Sequence, residues 1–368
     1  MIYLDYSATT PVDKRVLDRF CEINANCYGN ANSTHQLGRE AKNKIDIVSD
    51  TIRQMFMTKQ HEVIYTSGAT EANNLAIKGT VYNKQHLGKH IITSVFEHPS
   101  VTACLSYLHN QGFEIEFAPT NILGVVDVKT LKTMIRPETI LVSIAAVNSE
   151  IGIVQPIDEI GLMMKSYPYV TFHSDMTQAI GKIPVTIDNV DLVTFSAHKF
   201  YGLKGIGALL RKTTTIIETQ IHGGRSTTDI RSGTPPVPLI CSMQKAMELA
   251  IKRLDSQYRT VFGLMTMLRA KLAAIPNVII NSNECCLPHI FNLSVLSKDA
   301  HTMANILDNS GIMVSIQTAC FSGAKRSDSV FRLTNDERRA QTSIRISLSY
   351  LTTFDEINAL VDVIGKEA

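Results

Sequence analysis

The chain has 368 residues, of which 44% are hydrophobic and 19% are charged, and its formal net charge is +2. This length and composition are typical of a globular protein with a large core and two domains. No lysine- and arginine-rich block resembles a nucleic-acid-binding arm, no apolar run reaches membrane-spanning length, and the first residues lack the pattern of a signal peptide. We therefore expect a cytoplasmic protein without direct nucleic-acid or membrane binding.

The first third of the chain contains two segments with recognisable local signals. Residues 24–35 are rich in Asn, Gly and Ser, which predicts a loop, and apolar residues at helical spacing predict a helix over 38–57. A predicted strand, 63–66, then leads through small residues into an Ala- and Leu-rich run at 67–76. Such a turn opens a helix whose free backbone N–H groups form an anion site, suited to a phosphate.

The middle of the chain alternates between strands and helices. The predicted strands are 90–94, 113–117, 141–147, 169–173, 192–195 and 206–210, and the predicted helices are 99–110 and 157–165. Strands separated by helices indicate an α/β fold with a mostly parallel sheet. A long amphipathic stretch, 239–274, connects to a second α/β unit with strands at 289–295 and 343–349 and helices at 300–308 and 354–364. We expect a large domain over 13–250 and a small domain formed by 1–12 and 251–368.

The seven cysteines are an odd number without the spacing of a metal site. Cys285 and Cys286 are adjacent, and neighbouring residues of a strand point to opposite faces, so they do not form a ligand pair. We expect most of the thiols to be reduced, as is usual in the cytoplasm, and we predict no metal site.

A lysine and an aspartate follow two neighbouring predicted strands. Lys199 stands behind His198 after the strand at 192–195, and Asp175 follows the run at 169–172. Because the carboxyl ends of neighbouring strands in an α/β sheet line one crevice, both side chains can face the same ligand. Pyridoxal phosphate needs this pair, since a lysine holds its aldehyde as an imine and a carboxylate keeps its pyridine nitrogen protonated. The alternative is a surface lysine beside a glycine-rich turn.

Two further polar residues follow predicted strands. The aromatic ring of His98, after 90–94, could stack on the pyridine of such a cofactor. The amide of Asn148, after 141–147, could reach its phenolic oxygen. The alternative for each is a turn or cap residue without a catalytic role.

Together these motifs resemble the cysteine desulfurases, which are pyridoxal phosphate enzymes of the aminotransferase class V group. The resemblance covers nearly the whole chain and rests on YLDYSATTP at 3–11, GNANSTH at 29–35, TSGATE at 66–71, VNSEIG at 147–152, SAHK at 196–199, RSGT at 231–234, TAC at 318–320 and SIRIS at 343–347. It implies the fold-type-I architecture: a large domain with a mostly parallel seven-stranded sheet flanked by helices, and a smaller α/β C-terminal domain.

The resemblance implies roles for the residues singled out above. Lys199 would carry the cofactor and move the α-proton of substrate cysteine, while His98 would stack on the ring and shuttle protons. Asp175 would pair with the pyridinium, and Gln178 and Asn148 would approach the phenolic oxygen. The cofactor phosphate would be held by Ala69, Thr70, Ser196 and His198, with Thr234 reaching across from a second subunit. A site that borrows Thr234 requires a homodimer.

The substrate and the sulfur would be handled by three residues. Arg345 would bind the carboxylate of L-cysteine in a bidentate pair, with Asn148 beside it. The thiolate of Cys320, in a polar stretch of small residues at 315–325, would take the sulfur as a persulfide and leave L-alanine. The persulfide would go to an acceptor protein, either an iron–sulfur scaffold or a tRNA- or nucleic-acid-thiolating enzyme, and Cys320 could transiently ligate a cluster. The alternative for Cys320 is a buried cysteine of the small domain.

Several segments depart from the family pattern. Relatives usually have a Gly-rich stretch that contains a Glu-Arg pair where this chain has residues 225–230. Gln317 and Thr318 stand where Gly-Ser is common, and residues 326–339 carry many charges. The chain stops at Ala368, without the C-terminal extension that docks a cluster scaffold in some relatives, so we expect a specialised acceptor. The alternative functions are a related class V enzyme, such as a selenocysteine lyase or a small-amino-acid aminotransferase, and a non-catalytic sulfur-trafficking protein.

Overall fold

The computed structural model describes residues 1–224, 226–316 and 326–368. Twelve β-strands lie within these ranges: β1 (Ile2–Tyr3), β2 (His61–Thr66), β3 (His90–Thr93), β4 (Glu114–Phe117), β5 (Thr139–Ser143), β6 (Thr171–Asp175), β7 (Leu192–Ser196), β8 (Gly207–Lys212), β9 (Val278–Ile280), β10 (Ile290–Val295), β11 (Ile312–Met313) and β12 (Ser343–Ser347). Eleven α-helices lie within the same ranges: α1 (Lys14–Asn26), α2 (Gln36–Met55), α3 (Ala69–Lys84), α4 (Pro99–His109), α5 (Val128–Met134), α6 (Ile157–Met164), α7 (Val237–Leu272), α8 (Ala300–Asn309), α9 (Asp328–Thr334), α10 (Glu337–Gln341) and α11 (Phe354–Glu367).

The largest sheet of the described chain has seven strands in the order β2-β8-β7-β6-β5-β3-β4. The strands from β7 to β4 are parallel to their neighbours, and β8 is antiparallel to both β7 and β2. The prediction of a mostly parallel seven-stranded sheet is therefore confirmed. Helices connect the parallel strands, as parallel pairing requires.

Both faces of this sheet are covered by helices. Every residue of β5, β6 and β7 is buried, which is typical of parallel strands packed on both sides. One core cluster joins the sheet to α2 and α7, and two others join it to α3 and α4. The helices leave the carboxyl ends of the central strands as an open edge, where β6 and β7 end at Asp175 and Ser196.

A second core cluster surrounds a smaller antiparallel sheet, β12-β10-β9. It combines the C-terminal half of α7 with α8, α11 and Leu4 from the start of the chain. Strand β1 pairs in parallel with β11, so the N-terminal residues pack with the C-terminal part of the chain. Helix α7 continues without interruption past residue 250, and the division into domains at 12/13 and 250/251 stays a prediction.

The structure corrects several predicted elements. Helix α1 was not predicted, and only Val16 and Ile23 are buried along its 13 residues. The predicted strand at 141–147 ends at Ser143, and the residues after it form turns and isolated bridges. Helices α5, α9 and α10 have seven residues or fewer, which is too short for a helical period to be seen.

None of the helices in the described part of the chain is both long enough and apolar enough to cross a bilayer.

Gly207 allows β8 to lie directly against the turn before α3. A Cβ at this position would lie 2.6 Å from the Phe195 carbonyl oxygen and 2.7 Å from Gly68 Cα, and both are backbone atoms. We predict that Gly207→Ala lowers the free energy of unfolding by about 1–3 kcal/mol, measured by urea denaturation. The control is Gly263→Ala in α7, where a Cβ meets no atom within 4 Å and alanine should be neutral or stabilising. Equal effects of the two variants would contradict the prediction.

Candidate active site

A cavity of about 390 Å³ opens at the carboxyl edge of the large sheet. Nine residues that the sequence predicted for the site line it: Ala69, Thr70, His98, Asp175, Gln178, Ser196, His198, Lys199 and Arg345. They come from five separate parts of the chain. The parallel pairing of β6 with β7 places Asp175 opposite Thr194, so the ends of these two strands meet at the cavity.

Asp175 ends β6 with its carboxylate buried, 6% of the residue being exposed. Thr177 N donates to Oδ1 at 2.9 Å and Asn73 Nδ2 donates to Oδ2 at 2.8 Å. Both donors are neutral. A buried carboxylate of this kind is complementary to a ligand that supplies an N–H or a positive charge.

Asn73 links Asp175 to a buried polar network that sequence reasoning missed. Its Nδ2 also donates to Ser100 Oγ at 2.8 Å, and its Oδ1 accepts a hydrogen bond from Thr194 Oγ1 on β7. Asn73 is fully buried in α3, where an amide is expected only if its hydrogen bonds are satisfied. A polar residue in the Ala- and Leu-rich stretch of the sequence was the one available signal.

Lys199 lies in a single turn of 3₁₀-helix directly after β7. Its Nζ donates to the carbonyl oxygens of Ser7 at 2.6 Å and Ala8 at 2.7 Å. The N-terminal segment therefore forms part of the cavity wall and orients the amine. This segment lies in the family motif at 3–11, and no role of its backbone in the site was predicted from the sequence.

His98 caps the N-terminus of α4. Its Nδ1 accepts a hydrogen bond from Ser100 N at 3.1 Å, so the neutral ring carries its proton on Nε2. Burial lowers the pKa of His98, and Lys199 and Arg345 lower it further, although Asp175 acts in the opposite direction. The ring at the cavity is consequently a neutral imidazole with one N–H donor left for a ligand.

The start of α3 forms an anion site in the same cavity. Gly68, at the N-cap, offers no side-chain cap, so backbone N–H groups of the first turn remain for a ligand. Ser196, His198 and Lys204 also line this region. Burial, followed by the charges of Lys199, Lys204 and Lys182, lowers the pKa of His198 to about 4.

Glu71 brings a carboxylate to this otherwise positive region, and it is paired. Arg231 Nε donates to Oε1 at 2.8 Å, and Ser67 N donates to Oε2 at 2.8 Å. Burial acts to raise the pKa of Glu71, but these hydrogen bonds and the charge of Arg231 leave it lowered. The pair ties the start of α3 to the RSGT motif at 231–234. This motif directly follows the atypical segment 225–230, of which Arg225 lies outside the described residues.

Arg345 lies in β12 with 1% of the residue exposed, and it borders the cavity. Its Nη2 donates to Asp5 Oδ1 at 2.8 Å and its Nη1 donates to the Ser149 carbonyl oxygen at 2.9 Å. Its buried Nε has no hydrogen-bond partner among the described residues. A fixed guanidinium with unused N–H donors suits a carboxylate ligand.

The structure does not bring two predicted residues to the cavity wall. Asn148 is buried in a turn, where its Oδ1 accepts from Glu150 N and Ile151 N and its Nδ2 donates to the Phe96 carbonyl oxygen. This is the turn role that the sequence analysis kept as an alternative, and an approach of Asn148 to a cofactor or substrate stays a prediction. Thr234 is exposed and outside the cavity of its own chain.

Cys320 lies outside the described residues. The six cysteines that the structure describes are free thiols, and Cys21 is exposed while Cys27, Cys104 and Cys241 are buried. No group of three or more His, Cys, Asp or Glu residues in the described ranges is arranged to hold a metal ion.

Comparisons with known proteins agree with this geometry. The model of the aminotransferase class V family matches residues 2–360. A cysteine desulfurase IscS from Salmonella arizonae is 39% identical over 374 aligned positions, which cover 99% of this chain and 92% of the relative. The chain belongs to the cysteine desulfurases of this family. The family is pyridoxal phosphate-dependent.

Solved structures lead to the same family. A NifS-like protein superposes with a TM-score of 0.92 at 32% identity, over 99% of this chain and 98% of that protein. SspA in complex with cysteine superposes with a TM-score of 0.83 at 27% identity, over 96% of this chain and 100% of that protein. The fold-type-I architecture expected from the sequence is confirmed by these likenesses.

Protonation of buried histidines should make the fold acid-sensitive. Burial lowers the pKa of His173 to about 4, below the ordinary 6.5, so the unfolded chain binds more protons between these values. The contribution of His173 to the free energy of unfolding should therefore be fully present above pH 6.5 and decrease as the pH is lowered towards 4. We predict that His173→Gln reduces the loss of unfolding free energy between pH 7.5 and pH 5 by up to about 2 kcal/mol.

The measurement is urea denaturation of the wild type and variant at both pH values. His301→Gln is the control, because His301 is exposed on α8. An unchanged pH dependence in His173→Gln would contradict the prediction.

Proposed function

We propose that this protein is a pyridoxal phosphate-dependent cysteine desulfurase that converts L-cysteine to L-alanine and leaves the sulfur on Cys320 as a persulfide. The observation that carries the proposal is the convergence of Asp175, Lys199 and Arg345 on one cavity beside the anion site of α3. Membership of the cysteine desulfurases supports the reaction.

The residues of the cavity fit pyridoxal phosphate. The free N–H groups at the start of α3, with Ser196 and His198, suit its phosphate, and the Asp175 carboxylate with its neutral partners suits a protonated pyridine nitrogen. Lys199 offers an amine for its aldehyde. When bound, the cofactor supplies an electron sink for a carbanion at the substrate's α-carbon.

Residues of the chain itself bind the substrate, transfer the proton and donate hydrogen bonds. Arg345 binds the substrate carboxylate through its unused N–H groups, held in place by Asp5 and Ser149. Lys199 holds and moves the α-proton at Nζ, and the Ser7 and Ala8 carbonyl oxygens stabilise the protonated amine. His98, neutral and with its proton on Nε2, provides a donor at the same cavity.

The sulfur transfer balances without an external oxidant. The C–S bond of L-cysteine breaks and an S–S bond forms with the Cys320 sulfur. The substrate sulfur and the Cys320 sulfur are oxidised together from two thiols to one persulfide. The β-carbon of the substrate is reduced in turn: it gains hydrogen and becomes the methyl group of L-alanine. The thiolate is the nucleophile in such an attack, so Cys320 has to be deprotonated first.

The wider setting of the enzyme belongs to the same proposal. A homodimer in which Thr234 reaches the partner's phosphate site is consistent with the exposure of Thr234 outside its own cavity. We propose that the persulfide passes to an acceptor protein in the cytoplasm, either an iron–sulfur scaffold or a thiolation enzyme. The charged segment of residues 326–339 supports a specialised acceptor.

Asn73 should control cofactor affinity through Asp175. We predict that Asn73→Ala weakens pyridoxal phosphate binding by roughly tenfold, because the Asp175 carboxylate loses one of its two hydrogen-bond donors. The measurement is a spectrophotometric titration of the cofactor-free protein with pyridoxal phosphate. Asn74→Ala is the matched control, since the Asn74 amide donates to the Thr70 carbonyl oxygen near the surface. Equal affinity of the two variants would refute this role of Asn73.

Single-turnover chemistry tests the proposed function directly. L-Cysteine added without reductant should give about one L-alanine per active site and a one-sulfur mass gain on the Cys320 peptide. Cys320→Ser should bind the cofactor and form no persulfide, whereas Cys21→Ser, at an exposed cysteine of α1, should behave as the wild type. Alanine formation that requires an added keto acid would instead indicate an aminotransferase and refute the proposal.

A further inference from the structure

A second, much smaller cavity shares Lys199 and Ser7 with the large one; we call it the inner chamber. Its volume is about 10 Å³, which is room for one water molecule. Lys182, Gln257 and His289 bring polar side chains to its wall. None of these three residues has a role in the proposed reaction, so their burial beside Lys199 calls for an explanation.

Two of these side chains have unsatisfied polar atoms. Gln257 Nε2 and His289 Nδ1 are buried without a hydrogen-bond partner among the described residues, and each residue is 5% exposed. The Gln257 amide nitrogen can only donate. Burial, followed by the charge of Lys182, lowers the pKa of His289 to about 3, so its ring is neutral and Nδ1 can accept. A water molecule is both a donor and an acceptor and satisfies both atoms at once.

Lys182 supplies a third partner for that water. It is 9% exposed, and its Nζ donates to Gln178 Oε1 at 2.5 Å, which is its one hydrogen bond within the described ranges. Burial, followed by the charges of Lys199 and Arg345, lowers its pKa to about 7. The other titratable groups that border the chamber are Lys199, His289, Tyr6 and Tyr201, and no carboxylate of the described chain does so.

Lys182 and Ser7 together determine which way the Gln178 amide points. A lysine amine in its charged form can only donate, so the atom of Gln178 that faces it is the oxygen. The Ser7 carbonyl oxygen can only accept, so the atom that faces it at 3.0 Å is the nitrogen. The amide is therefore fixed at both ends. One of the two N–H groups of Nε2 is used by Ser7, and Gln178 borders the large cavity, where the other can serve a ligand.

We propose that one water molecule occupies the inner chamber, held by Lys182, Gln257 and His289, and that Lys182 is a positioning residue that fixes the Gln178 amide with an N–H donor towards the large cavity. The partner of that donor is a ligand oxygen that accepts a hydrogen bond and gains from carrying negative charge. For the proposed cofactor this is the phenolic oxygen, and to that extent the inference rests on the proposed function.

A high-resolution crystal structure of the wild-type protein tests the water site. We expect one ordered water within about 3 Å of Lys182 Nζ, Gln257 Nε2 and His289 Nδ1. An empty chamber, or direct hydrogen bonds between these side chains, would overturn the water site. This test depends neither on bound cofactor nor on turnover. If the protein failed to bind pyridoxal phosphate, the proposed function would be contradicted, but the crystal structure would still decide whether the water site exists.

The absorption of bound pyridoxal phosphate tests the positioning role. An N–H donor at the phenolic oxygen stabilises its charged form, so Lys182→Met should raise the pH midpoint of the cofactor's absorption change by about one unit. Loss of the lysine charge alone would act in the same direction. The two effects are separated by a double-mutant cycle with Gln178→Met.

In the Gln178→Met background, Lys182→Met should cause no further shift of the midpoint. A shift of the same size in both backgrounds would mean that the charge of Lys182 acts directly, and it would overturn the positioning role. Gln178→Glu is a second variant that keeps the lysine; its carboxylate accepts from Lys182 but has no N–H for the cofactor, so the midpoint should rise again. The exposed lysine at the end of α6, Lys165, gives the control Lys165→Met, which should leave the midpoint unchanged.

Discussion

The parallel pairing of β6 with β7 is the constraint on which the rest of the active site depends. It brings the end of β6, with Asp175, beside the end of β7, after which Lys199 follows in one helical turn. The buried Asp175 carboxylate then needs donors, and Asn73 from α3 and the backbone of Thr177 provide them. The helix that supplies Asn73 also presents its N-terminus to the same cavity. One pairing of strands thus places a carboxylate, an amine and an anion site around a single ligand.

The site combines two ion pairs, Arg345 with Asp5 and Arg231 with Glu71, with several buried groups whose hydrogen-bond partners are neutral. Asp175 is held by neutral donors, His98 and His198 are kept neutral by burial, and Lys182 is a buried amine without a carboxylate beside it. A bound ligand therefore supplies the charges that are complementary to these groups. Burying polar groups costs free energy, and the packing of the sheet offsets this cost. Every residue of β5, β6 and β7 is buried.

The sequence predicted the parts of the site that are local. Strand ends followed by Asp175, Lys199 and His98 are visible in the residue pattern, and the family motifs added Arg345 and Gln178. The contacts between distant segments were not predictable in this way. The Ser7 carbonyl oxygen beneath Lys199 and the Asn73 amide beneath Asp175 are set by tertiary packing, which leaves no period in the sequence. Short helices such as α5 and α10 were missed for lack of a full helical repeat.

The contact of residues 4–8 with residues 313–347 has a consequence for synthesis on the ribosome. The Ser7 backbone N–H donates to Ser347 Oγ, Leu4 N donates to the Met313 carbonyl oxygen, and Ser7 and Ala8 accept from Lys199. Ser7 thus finds its partner in a residue 340 positions further along the chain, which is synthesised much later. A nascent chain that already exposes Lys199 contains Ser7 and Ala8, but it still lacks Met313 and Ser347, which bind that segment. The contacts around the Lys199 amine therefore become complete only after the segment that contains Met313 and Ser347 has been made.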